Sequence, residues 1–127
     1  MEINCEFILY VSDQKKSRDF YSFILDKEPS LDVEGMTEFL LSGECKLGLM
    51  PAKGIMKILG KNFPEPETIK GVHRCELYLE VPNIEESYSR AVEAGATELS
   101  PVTLRNWGHR VGYLSDPDGH IIAFASI

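Results

Sequence analysis

The chain has 127 residues, 43% apolar and 26% charged, which suits one globular domain able to bury a core without disulfide or metal staples. Its 13 basic residues are scattered among 20 acidic ones, for a net charge of -7, which argues against the clustered positive charge that a nucleic-acid backbone rewards. No apolar run is long enough to cross a bilayer and no secretory leader is present, so the sequence reads as a soluble, cytoplasmic protein with no membrane partner.

Residues 3–12 are rich in apolar and β-favouring types and predict a strand. Asp13 follows as an N-cap, and Phe20, Phe23, Ile24 and Leu25 at helical spacing predict an amphipathic helix over 14–26, with Pro29 blocking its continuation. Short strands are expected near 30–34, 36–42 and 44–50, with Gly35 and Ser42-Gly43 at the turns. Residues 51–70 carry Pro51, Gly54, Gly60, Pro64 and Pro66 and read as a connector with a short helical turn around Ile55–Leu59.

The plan then begins again. Residues 72–81 predict a strand, Asn83 an N-cap, and 84–94 a helix with Ile84, Ala91 and Val92 inward and Gly95 as its left-handed stop. Strands follow near 97–100, 109–115 and 120–126, the last two joined by the turn Asp116-Pro117-Asp118-Gly119. Cys5, Cys45 and Cys75 all fall in these strands; an odd count suits reduced thiols, and such cysteines usually act as small buried hydrophobes.

Offsetting the chain by 70 residues lays Cys5 on Cys75, Glu6 on Glu76, Leu9 on Leu79, Val11 on Val81 and Ser17 on Ser87, five identities in thirteen positions, with the caps Asp13 and Asn83 coincident. The fold class is therefore α+β: one domain over 1–127, made of two β-α-β-β-β modules (about 1–50 and 71–127) joined by the connector. One helix per module covers one face of its sheet. The other faces must curve around a cleft, or pair across a dimer.

The run Trp107-Gly108-His109-Arg110, then Asp116-Pro117-Asp118-Gly119 and a closing strand, resembles the glyoxalase / bleomycin-resistance / extradiol-dioxygenase family, also called the vicinal oxygen chelate superfamily. Val11-Ser12-Asp13 with Phe20-Tyr21, and Ala91 with Ala94-Gly95-Ala96, extend the resemblance over nearly the whole chain. A homodimer is expected, and the resemblance implies, in the family's enzymes, a divalent metal held by the first and last strands of each module. The matching positions here are Glu6, Gly48, Glu76 and Ala123. A hydrogen and a methyl group cannot ligate, and two carboxylates fall short of the three or four ligands that zinc, nickel or iron sites use, although with waters they would suit magnesium or manganese. No cofactor is therefore expected.

Alternation puts Cys5, Phe7, Leu9 and Val11 on one face of the first strand and Glu6, Ile8 and Tyr10 on the other; Glu76, Tyr78 and Glu80 repeat the second set. Glu6 and Glu76 either face the cleft, where paired carboxylates could do acid–base work or bind a cation, or are solvated or paired with Arg74 or Arg110. Trp107, the one tryptophan, is a ligand-stacking wall or a partly buried core residue. His73 precedes the second module's first strand, His109 could reach the cleft, and His120 sits in a hairpin as a surface residue.

The first functional reading is a metal-independent protein binding an aromatic or cationic small molecule through Tyr10, Tyr78, Trp107, His109, Arg110 and the two glutamates. The alternative is an enzyme: a lyase, isomerase or dioxygenase using Glu6 and Glu76, with a metal or as acid and base. A third is a degenerate member that acts only through its dimer surface.

Overall fold

The computed structural model describes residues 3–62 and 75–126, so His73 and Arg74 lie outside the described residues. The chain divides into two compact units, and each carries one four-stranded sheet.

In the first unit the elements run β1 (Glu6–Val11), α1 (Gln14–Leu25, of which Phe23–Leu25 group with the second unit), β2 (Leu31–Val33), β3 (Met36–Ser42), β4 (Cys45–Pro51) and α2 (Ala52–Leu59). The sheet order is β1-β4-β3-β2, with β1 parallel to β4 and the other pairs antiparallel. Asp13 caps α1, its carboxylate accepting from the Lys16 N–H at 3.0 Å. The helix stops at Asp26, which adopts the left-handed region (φ 53°) three residues before Pro29. Ser17, Phe20, Tyr21 and Ile24 form its buried stripe, whereas Phe23 is partly exposed. Gln14 ties α1 to the sheet by donating to Val33 O (2.7 Å) and Thr37 Oγ1 (2.9 Å). Thr37 shares its face with the buried Phe39, Leu47 and Leu49, the apolar core of this unit.

The second unit repeats the plan: β5 (Glu76–Val81), α3 (Ile84–Glu93), β6 (Thr97–Leu104), β7 (Arg110–Ser115) and β8 (Ile121–Ser126), with sheet order β5-β8-β7-β6 and β5 parallel to β8. Asn83 caps α3 by accepting from the Glu86 N–H at 3.1 Å. At the other end Gly95 (φ 100°) donates to Val92 O and Ala96 to Ala91 O, closing the helix with a left-handed glycine. Tyr88 of α3 lies on Gly112 of β7, where a β-carbon would overlap its ring, so the helix packs on the face carrying Ile122, Phe124 and Leu114.

Three expectations need correction. The connector holds a two-turn helix, α2, because Ala52 and Ile55 supply a buried stripe and the first breaker able to stop it is Gly60. Strand β6 runs through Pro101 to Leu104; it is an edge strand, where a missing N–H need not cost a ladder bond, and the register shifts between Ser100 and Thr103. Cys5 and Cys75 immediately precede β1 and β5 and are exposed, while Cys45 is half-buried, so none is a core hydrophobe.

Candidate functional site

Each sheet has a far face, opposite the one bearing the core residues named above. In the first unit β1 register pairs Glu6 with Lys46 and Ile8 with Gly48, and β3 pairs Glu38 with Gly48. Glu6, Ile8, Tyr10, Lys46, Gly48 and Glu38 therefore share the far face. Gly48 is central to it. A β-carbon there would overlap Glu6 Oε2 and crowd Ile8 Cγ1, so Glu6 folds over the bare backbone of β4. Glu6 Oε2 is buried and lacks a hydrogen-bond partner among the described residues. Burial first, then the facing Glu38 carboxyl, holds the Glu6 pKa above its ordinary 4.5, against an opposing pull from Lys46. Lys46 itself pairs with Glu38 at 3.8 Å.

In the second unit the far face carries Glu76, Tyr78 and Glu80 on β5, opposite Ile121, Ala123 and Ala125 on β8, with Tyr113 beside Ala123 on β7. Val111, Ala123 and Ala125 are fully buried there, with Tyr113 packed against them. The β6–β7 hairpin turns at Arg105–His109: Gly108 N–H donates to Arg105 O at 3.1 Å and Gly108 takes φ 97°, which puts Trp107 at the tip. Arg105 braces the hairpin, donating to Val111 O, Pro101 O and Ser100 Oγ with its guanidinium 5.2 Å from the Tyr113 ring centre.

From that tip Trp107 reaches Tyr78. Its Nε1–H donates to Tyr78 Oη at 3.0 Å, and the indole stays 54% exposed. Tyr78 Oη also lies 2.6 Å from His109 Nδ1, and His109 Nε2 lies 3.9 Å from Glu80 Oε1. Tyr78, Trp107 and His109 thus gather on one face, as a set of groups for a ligand would require. Arg110 does not join them: it pairs with Glu85 in the first turn of α3, lowering the pKa of that carboxyl. Glu76 lies along β5 from Tyr78, close enough for its charge to help raise the Tyr113 pKa, which burial raises first. Tyr10 lies in the first unit, opposite Met50.

Two contributors were not singled out from the sequence, Glu38 and Arg105, whereas Glu80 stands on the strand face where alternation puts it with Glu76 and Tyr78. Glu38 carried only its strand parity with Leu40. Arg105 carried none, because its role depends on the hairpin's closure.

The register places the residues that the resemblance aligns with metal ligands equivalently in the two units: Gly48 opposes the second residue after Glu6, as Ala123 opposes the second after Glu76. These residues do not fit a transition-metal centre. Two lack donor atoms, and Glu6 directs its unpartnered oxygen over the site of a missing ligand. Asp116, Asp118 and His120 offer donor atoms within 4.8 Å of one another. There Asp116 Oδ1 already accepts from the Asp118 and His120 N–H groups, and Oδ2 lies 2.8 Å from His120 Nδ1, so the cluster is a turn closed on itself. His120 is accordingly a half-buried partner of Asp116 rather than a surface residue.

Among solved structures, a glyoxalase-related enzyme from Fulvimarina pelagi covers all of this chain at TM-score 0.80 and 20% identity, with 89% of its own chain covered. A glyoxalase/bleomycin resistance protein/dioxygenase family enzyme from Burkholderia phytofirmans PsJN matches at TM-score 0.81 and 14% identity, over 96% of each chain. These establish the shared fold. In sequence, the chain is 29% identical over 119 residues to the uncharacterised protein YraH of Bacillus subtilis (strain 168), covering 90% of each. It is 26% identical over 115 residues to the uncharacterised protein Mb0911c of Mycobacterium bovis, covering 88% of this chain and 75% of the other. With duplicated units, matching strand order and a family model fitting residues 5–124, the chain belongs to the Glyoxalase/Bleomycin resistance protein/Dioxygenase superfamily.

Proposed function

We propose that the chain binds a small aromatic or cationic molecule on the far face of the second unit's sheet, using side chains rather than a bound metal. One observation carries this reading: the Trp107 N–H is anchored on the Tyr78 hydroxyl, which holds a half-exposed indole beside a second aromatic ring. Anchoring leaves the indole little rotamer freedom to lose on binding. Glu76 and Glu80 on the same strand face supply negative charge, so an aromatic cation would gain both cation–π and carboxylate contacts. Because Trp107 is the only tryptophan, its fluorescence reads this face directly. Titration with aryl ammonium compounds should quench or shift it saturably. Calorimetry should show affinity falling at least about tenfold in Trp107→Ala, the cost of a lost aromatic anchor. Calorimetric affinity that survives in Trp107→Ala/Tyr78→Ala would place binding elsewhere.

The raised Glu6 pKa favours a second reading, lyase or isomerase chemistry with Glu6 as proton donor on the first unit's far face, its acidity set by burial and then by Glu38. Activity indifferent to Glu6→Gln would remove it. Among the described residues no helix is long and apolar enough to cross a membrane. The proposal extends to a cytoplasmic homodimer, which light scattering on the purified protein would test.

A further inference from the structure

Of the two hydrogen bonds around Tyr78, valence sets the direction of one, and the tautomer of His109 sets the other. An indole has one N–H and no acceptor, so Trp107 always donates to Tyr78 Oη, at 3.0 Å. The second neighbour of that oxygen is His109 Nδ1, at 2.6 Å. Beyond the imidazole, Nε2 faces the Glu80 carboxylate at 3.9 Å. A carboxylate only accepts, so it favours the tautomer with its proton on Nε2, which leaves Nδ1 an acceptor for the Tyr78 O–H. Tyr78 then has one function to spare, a lone pair.

We infer that Tyr78 is the specificity-determining group of this face, and that the protonation of His109 inverts what it offers a ligand. With neutral imidazole, Tyr78 gives its proton to His109 and accepts from Trp107, and so presents an acceptor. It selects ligands bearing N–H donors, primary and secondary ammonium ions above all. When His109 is a cation, both ring nitrogens donate. Nδ1–H then takes the second lone pair of Tyr78 and the phenol proton turns outward, selecting carbonyl or ether acceptors. No bond is made or broken in the ligand.

Among the described residues, the titratable and charged groups around this hydrogen-bond chain are Glu76 and Glu80 on β5, Tyr113 on β7, and Arg105 and Arg110 beside the hairpin. Arg105 is engaged with carbonyls and Ser100, and Arg110 with Glu85. Of these groups only His109 can hold its proton on either of two ring nitrogens or on both, so its protonation state decides the direction of the chain.

The inference rests on the binding proposed above, and its test separates the two. Three probes share an aryl ring: phenethylammonium, its N,N,N-trimethyl analogue, and 4-phenylbutan-2-one. Trp107 fluorescence is titrated at about pH 8 and about pH 5.5. At the higher pH phenethylammonium should bind about tenfold tighter than the quaternary ion, which has equal charge and no N–H. At the lower pH that ratio should fall toward one, while the ketone should tighten about tenfold. Tyr78→Phe should remove both effects, and His109→Gln should remove their pH dependence. Saturable binding with a ratio constant in pH would overturn the inversion and leave binding intact. No saturable response from any probe would instead sink the binding reading. Nitrogen-15 NMR of unliganded protein decides the chain itself: the Nε2–H tautomer of His109 is expected at about pH 8, and the Nδ1–H tautomer would overturn the inference whatever binds.

Discussion

Glu6 Oε2 occupies the space that a β-carbon on Gly48 would need. The absence of a side chain at one residue thus sets the position, burial and acidity of a carboxyl on the neighbouring strand.

Gly48→Ala should therefore move Glu6 more than it moves the fold. The overlapping atom is the end of a flexible chain, so the cost in stability should be about 1 kcal/mol. The Glu6 carboxyl should be driven toward water and its pKa should fall back toward 4.5. Carbon-13 NMR titration of Glu6 measures this, and an unaltered titration would show that Gly48 is not what seats the group.

The elevated acid also makes a prediction about stability. Because the folded pKa of Glu6 lies above the unfolded value, the ionised form is penalised by folding. No penalty exists below about pH 4.5, and it sets in as pH rises through the folded value. Glu6→Gln should match the parent near pH 4 and exceed it in urea midpoint near pH 8. A variant weaker than the parent at pH 8 would mean that contact with Lys46 outweighs burial.

His120 behaves in the opposite sense. Burial alone would lower its pKa, but the hydrogen bond to Asp116, with the charges of Asp116 and Asp118, outweighs burial and raises it above 6.5. Its stabilising contribution is complete below 6.5 and is lost as pH rises through the raised value. His120→Gln should cost about 1.5 kcal/mol at pH 6 and distinctly less at pH 9. An equal loss at both pH values would assign His120 a packing role alone.

On the helix-bearing face of the second unit, Gly112→Ala should destabilise by about 1–3 kcal/mol, since a methyl group there meets both the Tyr88 ring and Val102. Tyr88→Leu in that background should recover part of the loss. Strict additivity of the two changes in denaturant unfolding would show that the ring and residue 112 are not in contact.

The fold was legible because its signals are local and said twice. Asp13 and Asn83 cap their helices as residue type suggested, and the strand parity of Glu6, Ile8 and Tyr10 is the parity found. The sites were legible only in part. Tyr78, Trp107 and His109 could be named, but their joining depends on how a three-residue hairpin loop aims an indole, and no periodicity encodes that. Glu38 showed only its strand parity; that it stands across Gly48 of β4 from the Glu6 strand appears only in register. Arg110 looked like a site residue from its neighbours in sequence; it points instead to Glu85, on the next residue's opposite side.

In both units the first strand is zipped in parallel to the last: Glu6 opposes Lys46, and Glu76 opposes Ile121. Neither half can complete its sheet until its final strand has been synthesised, so a growing chain on the ribosome must hold β5 and β7 apart until β8 emerges. Truncation before Ile121 would leave two raw edges in place of one missing strand, an invitation to pair with other chains.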